Sequence, residues 1–351
     1  MYRMDGSPLD PRAAAQPGLA RRVGGFLHAV FLSSGILPLV LLLSIIGFGL
    51  AEPRFLHYEN LFNVARHATY LIIVSMGQML TLLVRGIDMS VGSTVAFVSV
   101  VTALVMSSVA GGDPAMAGVA IAAGMVAGLA AGACVGAING VGITIFKVNP
   151  FIMTVGMLSV LTGAALKLSD GMPVYGMPTE FARTFAYWAP LDIPAPALFA
   201  AALFGLMVYV LYGTPLGRRI YAIGGNSLSS RLAGINVTAY TILTYVLCST
   251  IVAFGSILLT ARVNTGEATL GATLLVESIT AVVIGGVSFF GGIGRVGNVV
   301  LGAVFVTLMT NGMNMLRVDS YVQQIVLGCL LILAVIVDQF RIKLMRQERY
   351  D

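Results

Sequence analysis

The residues able to do chemistry are few and far apart. Asp88, Ser90 and Ser93 fall in the run RGIDMSVGS at 85–93, Glu277 opens an apolar segment, and Arg218, Arg219 and Arg231 crowd one polar stretch from Gly213 to Val237 that holds no acid. His28, His57 and His67 are isolated from one another and from Cys134, Cys248 and Cys329, which leaves no metal-ligand spacing. No hydroxyl nucleophile stands near a base in sequence. Gly292, Gly294 and Gly297 spell GxGxxG with Asp319 about 20 residues on, but the flanks are long apolar runs and not a strand–turn–helix unit, so a dinucleotide fold is rejected. No GxxxxGK[ST] loop exists and the chain has three lysines. The chain is therefore expected to be no enzyme and to bind no cofactor; any ATP and Mg chemistry must come from another chain.

The elements that must position these residues are membrane helices. The 351 residues are 58% apolar and only 10% charged, with a mean hydropathy of +0.93. The charged residues gather at breaks between long uncharged runs, which reads as an all-α polytopic membrane protein. At about 20 apolar residues per crossing, ten spans are expected, near 33–51, 64–84, 90–110, 115–138, 151–168, 197–213, 239–261, 276–290, 297–316 and 321–339, the eighth being short. The domain reading is a partly disordered cytosolic tail over 1–32, a transmembrane domain over 33–340 and a basic cytosolic tail over 341–351. If both termini are cytosolic, fourteen of the twenty basic residues lie inside and six outside, as the positive-inside rule asks. The net charge of +5 is then a topology signal beside membrane lipid, with no nucleic-acid partner implied.

Within that frame the stretch 213–237 is cytosolic and needs an aqueous partner. Its second half reads as a short helix, with Asn226 or Ser227 at the start, Leu228, Ser229, Arg231 and Leu232 following, and Gly234 as a left-handed cap. So short a helix is unstable alone and must be held by packing. In the fourth span Gly124, Gly128, Gly132, Gly136 and Gly140 recur every fourth residue, which lets backbones approach closely. That stripe marks a helix buried at the bundle centre or a contact between subunits. The glycines of 85–93 suggest a broken helix, tolerated at membrane depth only inside protein or beside water; the alternative is a cytosolic turn in which Asp88 or Ser90 caps the next span. Asn149 and Pro150 stop one helix and open another. Glu277 is either a functional intramembrane acid or an acid at the external boundary. Asn311 and Asn314 suit hydrogen bonds between helices. Residues 169–196 form the longest external loop.

Five stretches in order resemble the permease subunits of bacterial ATP-binding-cassette importers of ribose and related monosaccharides, within the branched-chain amino acid and ribose permease superfamily. They are 85–93, NGVGITIFKVNPFIMTVGML at 139–158, GRRIYAIGGNSLSSRLAGINV at 217–237, ITAVVIGGVSFFGGIGRVGN at 279–298 and NGMNMLRVDSYVQQIVLGCLLILAVIVD at 311–338. The resemblance implies about ten helices, two permease copies around one pathway, a cytosolic ATPase, and a periplasmic sugar-binding protein, all at the bacterial inner membrane. It makes 226–234 the coupling helix that enters the ATPase. Where relatives often have Glu-Ala-Ala this chain has Ser227, Leu228 and Ser229; of two acids common near the start of the eighth span Leu275 replaces one and Glu277 stands for the other, and Ile293 sits where a lysine is common. Alternating access is the expected mechanism, with Asp88, Ser90, Ser93, Asn149, Thr154 and Glu277 as candidates for the path. Nucleosides, amino acids or a signalling sugar are rival cargoes, and an ion-coupled secondary transporter is a rival class.

Overall fold

The computed structural model describes residues 37–347. In chain order the helices are α1 (Leu37–Ala51), α2 (Tyr58–Leu83), α3 (Val91–Ala110), α4 (Ala117–Thr144), α5 (Pro150–Leu168), α6 (Ala195–Val208), α7 (Pro215–Gly225), α8 (Ser227–Leu232), α9 (Val237–Val263), α10 (Leu274–Ile284), α11 (Val296–Met315) and α12 (Ser320–Gln347). Among the described residues there is no strand, only an isolated bridge between Val174 and Gly266. Each of the ten expected spans coincides with one helix. Seven of the helical segments are long and apolar enough to cross a membrane; α1 and α10 are apolar but only 15 and 11 residues long. α2 has the length, at 26 residues, but carries Glu59, Arg66, His67 and Gln78.

Three expectations change. The eighth expected span is α10, which stops at Ile284 rather than near 290, because Gly285 and Gly286 follow and Gly286 has a φ of +76°. α12 runs on to Gln347, into the stretch read as a basic tail. Residues 1–36 and 348–351, including the tail read over 1–32, lie outside the described residues.

The third change concerns the centre of the bundle. From Ala68 to Leu83 every residue of α2 except Ile72 is buried. Its run LIIVSMGQMLTLL carries only Ser75, Gln78 and Thr81 as polar side chains, all of them fully buried, as in a helix wrapped by neighbours. α4 instead buries one edge. Its stripe glycines lie against α3 and α9: an added methyl on Gly124 would come within 2.9 Å of the Thr102 carbonyl oxygen, and on Gly132 within 2.7 Å of that of Ser249. On Gly136 and Gly140 it would reach the Cα atoms of Val246 and Ile242 at 2.6 and 2.7 Å, while on Gly128 it would meet the Thr102 hydroxyl. Val119, Val126 and Ile138 on its other faces are exposed. The stripe is thus the inner seam of an outer helix, contacting its own subunit through near-touching backbones.

Residues 169–196 fold back over the far end of α9. Val174 and Gly266 exchange backbone hydrogen bonds at 2.8 and 2.9 Å, Phe181 is fully buried, and the Tyr187 hydroxyl donates to the Arg262 carbonyl at 3.0 Å.

Candidate functional site

One end of the bundle carries the polar elbow. Asn226 ends α7 and begins α8, with extended backbone (φ −157°) and a side-chain oxygen that accepts the Ser229 N–H at 3.0 Å. Gly234 closes α8 at φ +81°, where the N–H groups of Gly234 and Ile235 reach the Arg231 and Ser230 carbonyls, both at 3.0 Å. Ser230 is buried against the domain, whereas Ser227, Ser229 and Arg231 are exposed, and Leu228 and Leu232 are 66% and 81% exposed. The three arginines separate. Arg219 donates to the Tyr240 hydroxyl with its guanidinium 5.0 Å from that ring's centre, tying α7 to α9, while Arg218 and Arg231 stand in the open. None of the three has a carboxylate within ion-pair distance among the described residues.

Beneath the elbow three distant segments meet. The Leu83 carbonyl, at the end of α2, accepts the Gly292 N–H at 2.9 Å. Arg85, with φ +64°, donates from Nε to the Gly224 carbonyl at 2.6 Å and from Nη2 to that of Gly225 at 2.5 Å. The Tyr221 hydroxyl donates to the Gly294 carbonyl at 2.8 Å. Arg85 therefore occupies the last, otherwise unpaired, carbonyls of α7 with a cation where the helix dipole favours one. Reading the sequence did not bring these residues together, because Arg85 and Gly224 are 139 positions apart. The charge on Arg85 and the glycine pairs at 224–225 and 291–292 were the only signals.

Arg85 leads into the broken segment expected at 85–93. Asp88 is 1% exposed, and its Oδ1 accepts the backbone N–H and the hydroxyl of Ser90 at 2.9 and 2.5 Å. Asn139 on α4 donates to the Ser90 hydroxyl at 3.0 Å, and Thr154 on α5 donates to the Ile87 carbonyl at 3.1 Å. Ser93 donates back to the Ser90 carbonyl at 2.9 Å. Asp88 thus holds Ser90, the residue before α3, and does so inside protein. Asp88 Oδ2, Asn139 Oδ1 and the Tyr245 hydroxyl are buried without a hydrogen-bond partner among the described residues. Each such group costs about 1–3 kcal/mol when left unpaired, so the segment carries unmet hydrogen-bonding capacity inside the protein. Asn149 lies apart from the cluster: it is exposed and caps α5, accepting the Phe151 N–H at 3.0 Å.

Glu277 belongs to a different place, at the opposite ends of α2 and α9. A cavity of about 360 Å³ opens there between α2, α9, α10 and α11, lined by His67, Tyr70, Arg262, Glu277, Asn311 and Asn314 together with leucine, valine and threonine side chains. The Arg262 guanidinium lies 2.8 and 3.2 Å from the two ring nitrogens of His67 and 5.5 Å from the centre of the Tyr70 ring. Asn311 exchanges two amide hydrogen bonds with Asn60, both 3.0 Å, and Asn314 accepts from Gln323 at 2.8 Å. His67 and Arg262, 195 positions apart, were not candidates on sequence. Of the six path candidates, Glu277 alone lines this cavity.

Residues 60–335 match the model of the family described as branched-chain amino acid transport system / permease component. The chain is 36% identical over 306 residues to the ribose import permease protein of Escherichia coli strain K12, covering 86% of this chain and 92% of that one. It is 34% identical over 323 residues to the ribose import permease protein of Bacillus subtilis strain 168, covering 92% and 94%. With the D-allose transport system permease protein of E. coli K12 it shares 33% over 301 residues, covering 86% and 89%. No solved structure matches the chain significantly. A multi-helix membrane architecture and a match running through nearly all of the described residues make this chain a member of the branched-chain amino acid transport system / permease component family.

Proposed function

We infer that the chain is the membrane subunit of an ATP-driven importer of a monosaccharide, with ten crossings, both termini cytosolic, in a bacterial inner membrane. A separate cytosolic ATPase binds and hydrolyses ATP with Mg, a periplasmic sugar-binding protein delivers the cargo, and a second permease copy completes the pathway. The observation that carries this reading is α8: a capped six-residue helix that turns Leu228 and Leu232 outward from a polar elbow. Exposed leucines on a rigid, preformed helix suit insertion into a groove of another protein. The relatives named as ribose and allose permeases support the sugar.

Motion of the ATPase enters at α8 and passes through Arg85 to the Asp88 segment, whose unpaired polar groups have hydrogen-bonding capacity to offer a second arrangement. The two faces of the membrane then open in turn.

The test is reconstitution in proteoliposomes. The purified chain alone is expected to hydrolyse no ATP, with hydrolysis and sugar uptake both appearing when the ATPase and binding protein are added. Leu228→Asp with Leu232→Asp should remove both while leaving membrane insertion intact. ATP hydrolysis by the chain alone, or uptake in vesicles lacking any ATPase, overturns the reading; the second result favours an ion-coupled transporter.

A further inference from the structure

The geometry points to the cavity between α2, α9, α10 and α11 as a binding site for one neutral monosaccharide, seated within a single subunit at the end of the bundle opposite α8. This rests on the sugar-import reading. α9 runs 27 residues, about 40 Å, from its start beside α8 to the cavity at Arg262. If α8 is cytosolic, the cavity faces the side from which cargo arrives.

Its lining has the two features that sugar recognition needs. The first is hydrogen-bonding groups whose positions are already fixed. Arg262 is braced by His67 and stacked near Tyr70, and Asn311 and Asn314 are each pinned by one amide partner. After those bonds Asn311 keeps one N–H and each amide oxygen keeps a lone pair, and the guanidinium has further N–H groups to offer. Such groups bind vicinal hydroxyls in pairs, and their prior immobilisation lowers the entropic cost of binding. The second feature is apolar surface for the carbon face of the ring, supplied by Tyr70 and Leu71 of α2, Leu259 of α9, Leu270 just before α10 and Leu274 at its start.

Charge decides the class. Arg262 and Glu277 face the same cavity, yet no ion pair joins them among the described residues. With His67 neutral, one cation and one anion leave no net charge, so an anionic sugar acid or phosphate gains nothing overall. A carboxylate with no cation beside it accepts hydrogen bonds from two hydroxyls, and such charge-assisted bonds are stronger than neutral ones. An amino-acid zwitterion could also span two separated charges, with its carboxylate at Arg262 and its ammonium at Glu277. Thr307 and Thr310 donate to carbonyls of their own helix, and the Asn311 and Asn314 oxygens each accept one amide N–H, so each of these oxygens keeps acceptor capacity; a polyol offers donors at several points along α11, whereas a zwitterion offers them only at its ammonium.

The experiment measures equilibrium binding of radiolabelled ribose, allose and leucine to the full chain in nanodiscs, alongside uptake by the complete transporter. Weak saturable binding of ribose or allose is expected, and none of leucine. Glu277→Gln, which keeps the shape and removes the charge, should weaken sugar binding about ten-fold and raise the KM for uptake with little change in kcat. Arg262→Lys, which keeps the charge but not the fork, should do likewise. Gel filtration of both variants identifies any that misfold. Uptake of sugar by the transporter without sugar binding to the wild-type chain sinks the cavity assignment and leaves the sugar-import reading standing. Unchanged binding in a folded Glu277→Gln protein sinks it as well. Leucine binding accompanied by leucine uptake overturns both.

Discussion

Adding one carbon at Gly224 tests the junction under the elbow. A methyl group there would overlap the Leu83 carbonyl oxygen and crowd the Gly292 nitrogen, the same two atoms that hydrogen-bond to each other at 2.9 Å. No flexible side chain is available to yield, because both obstacles are backbone. Overpacking of this kind costs about 1–3 kcal/mol, and separating the Leu83–Gly292 bond adds about 1 kcal/mol. The gain in helix propensity from glycine to alanine returns about 1 kcal/mol, so Gly224→Ala should destabilise the domain by about 2 kcal/mol. Gly225→Ala is the internal control: the next residue has nothing within 4 Å of the added carbon. It should be neutral or slightly stabilising. Thermal unfolding of the purified chain in detergent reads the stability difference, and sugar uptake in proteoliposomes with the partner subunits reads coupling. The expected result is a Gly224→Ala protein that melts several degrees lower and transports poorly beside an unaffected Gly225→Ala. If the two variants melt and transport alike, the junction does not hold the elbow.

Other outcomes follow from the same contacts. Gly234→Val places a branched residue at φ +81°, costing about 1–2 kcal/mol through the backbone alone since the site is otherwise open; uptake should be lost while insertion, judged by protease accessibility, stays normal. Asp88→Asn keeps an acceptor for Ser90 and should be tolerated in a melting assay, whereas Asp88→Leu leaves the Ser90 N–H and hydroxyl buried and unpaired and should cost about 2 kcal/mol or more. Gly136→Leu should prevent α4 from docking on α9 at Tyr245 and Val246, and Gly118→Leu, with open space around it, should not; yields of folded protein by fluorescence-detected gel filtration separate the two.

Helices were legible in the sequence wherever the physics is local. Apolar runs bounded by charge located ten of the helices but not the eleven-residue α7, Asn226 and Gly234 marked both ends of α8, and the four-residue glycine period marked a close backbone contact. What was not legible depends on chain segments meeting across large separations. Arg85 looked like one more topology charge until Gly224 and Gly225 came beside it. His67 looked like a lone histidine until Arg262 lay across it. The centre of the bundle was misjudged for a related reason. Glycines advertise close packing on one ridge, as in α4, whereas the enclosure of α2 from Ala68 to Leu83 leaves only a largely apolar run with scattered Ser75, Gln78 and Thr81, which does not by itself say what surrounds it.

The closeness of α4 to α9 has a mechanical meaning. Gly128, Gly132, Gly136 and Gly140 face Ile257, Ala253, Tyr245 with Val246, and Ile242 in turn, so the contact runs fifteen residues along α9, about 22 Å at 1.5 Å per residue. A joint of that length, made largely of backbone, leaves no single point about which one helix can turn on the other. α4 and α9 are therefore one two-helix beam, and a displacement applied to either is shared by both.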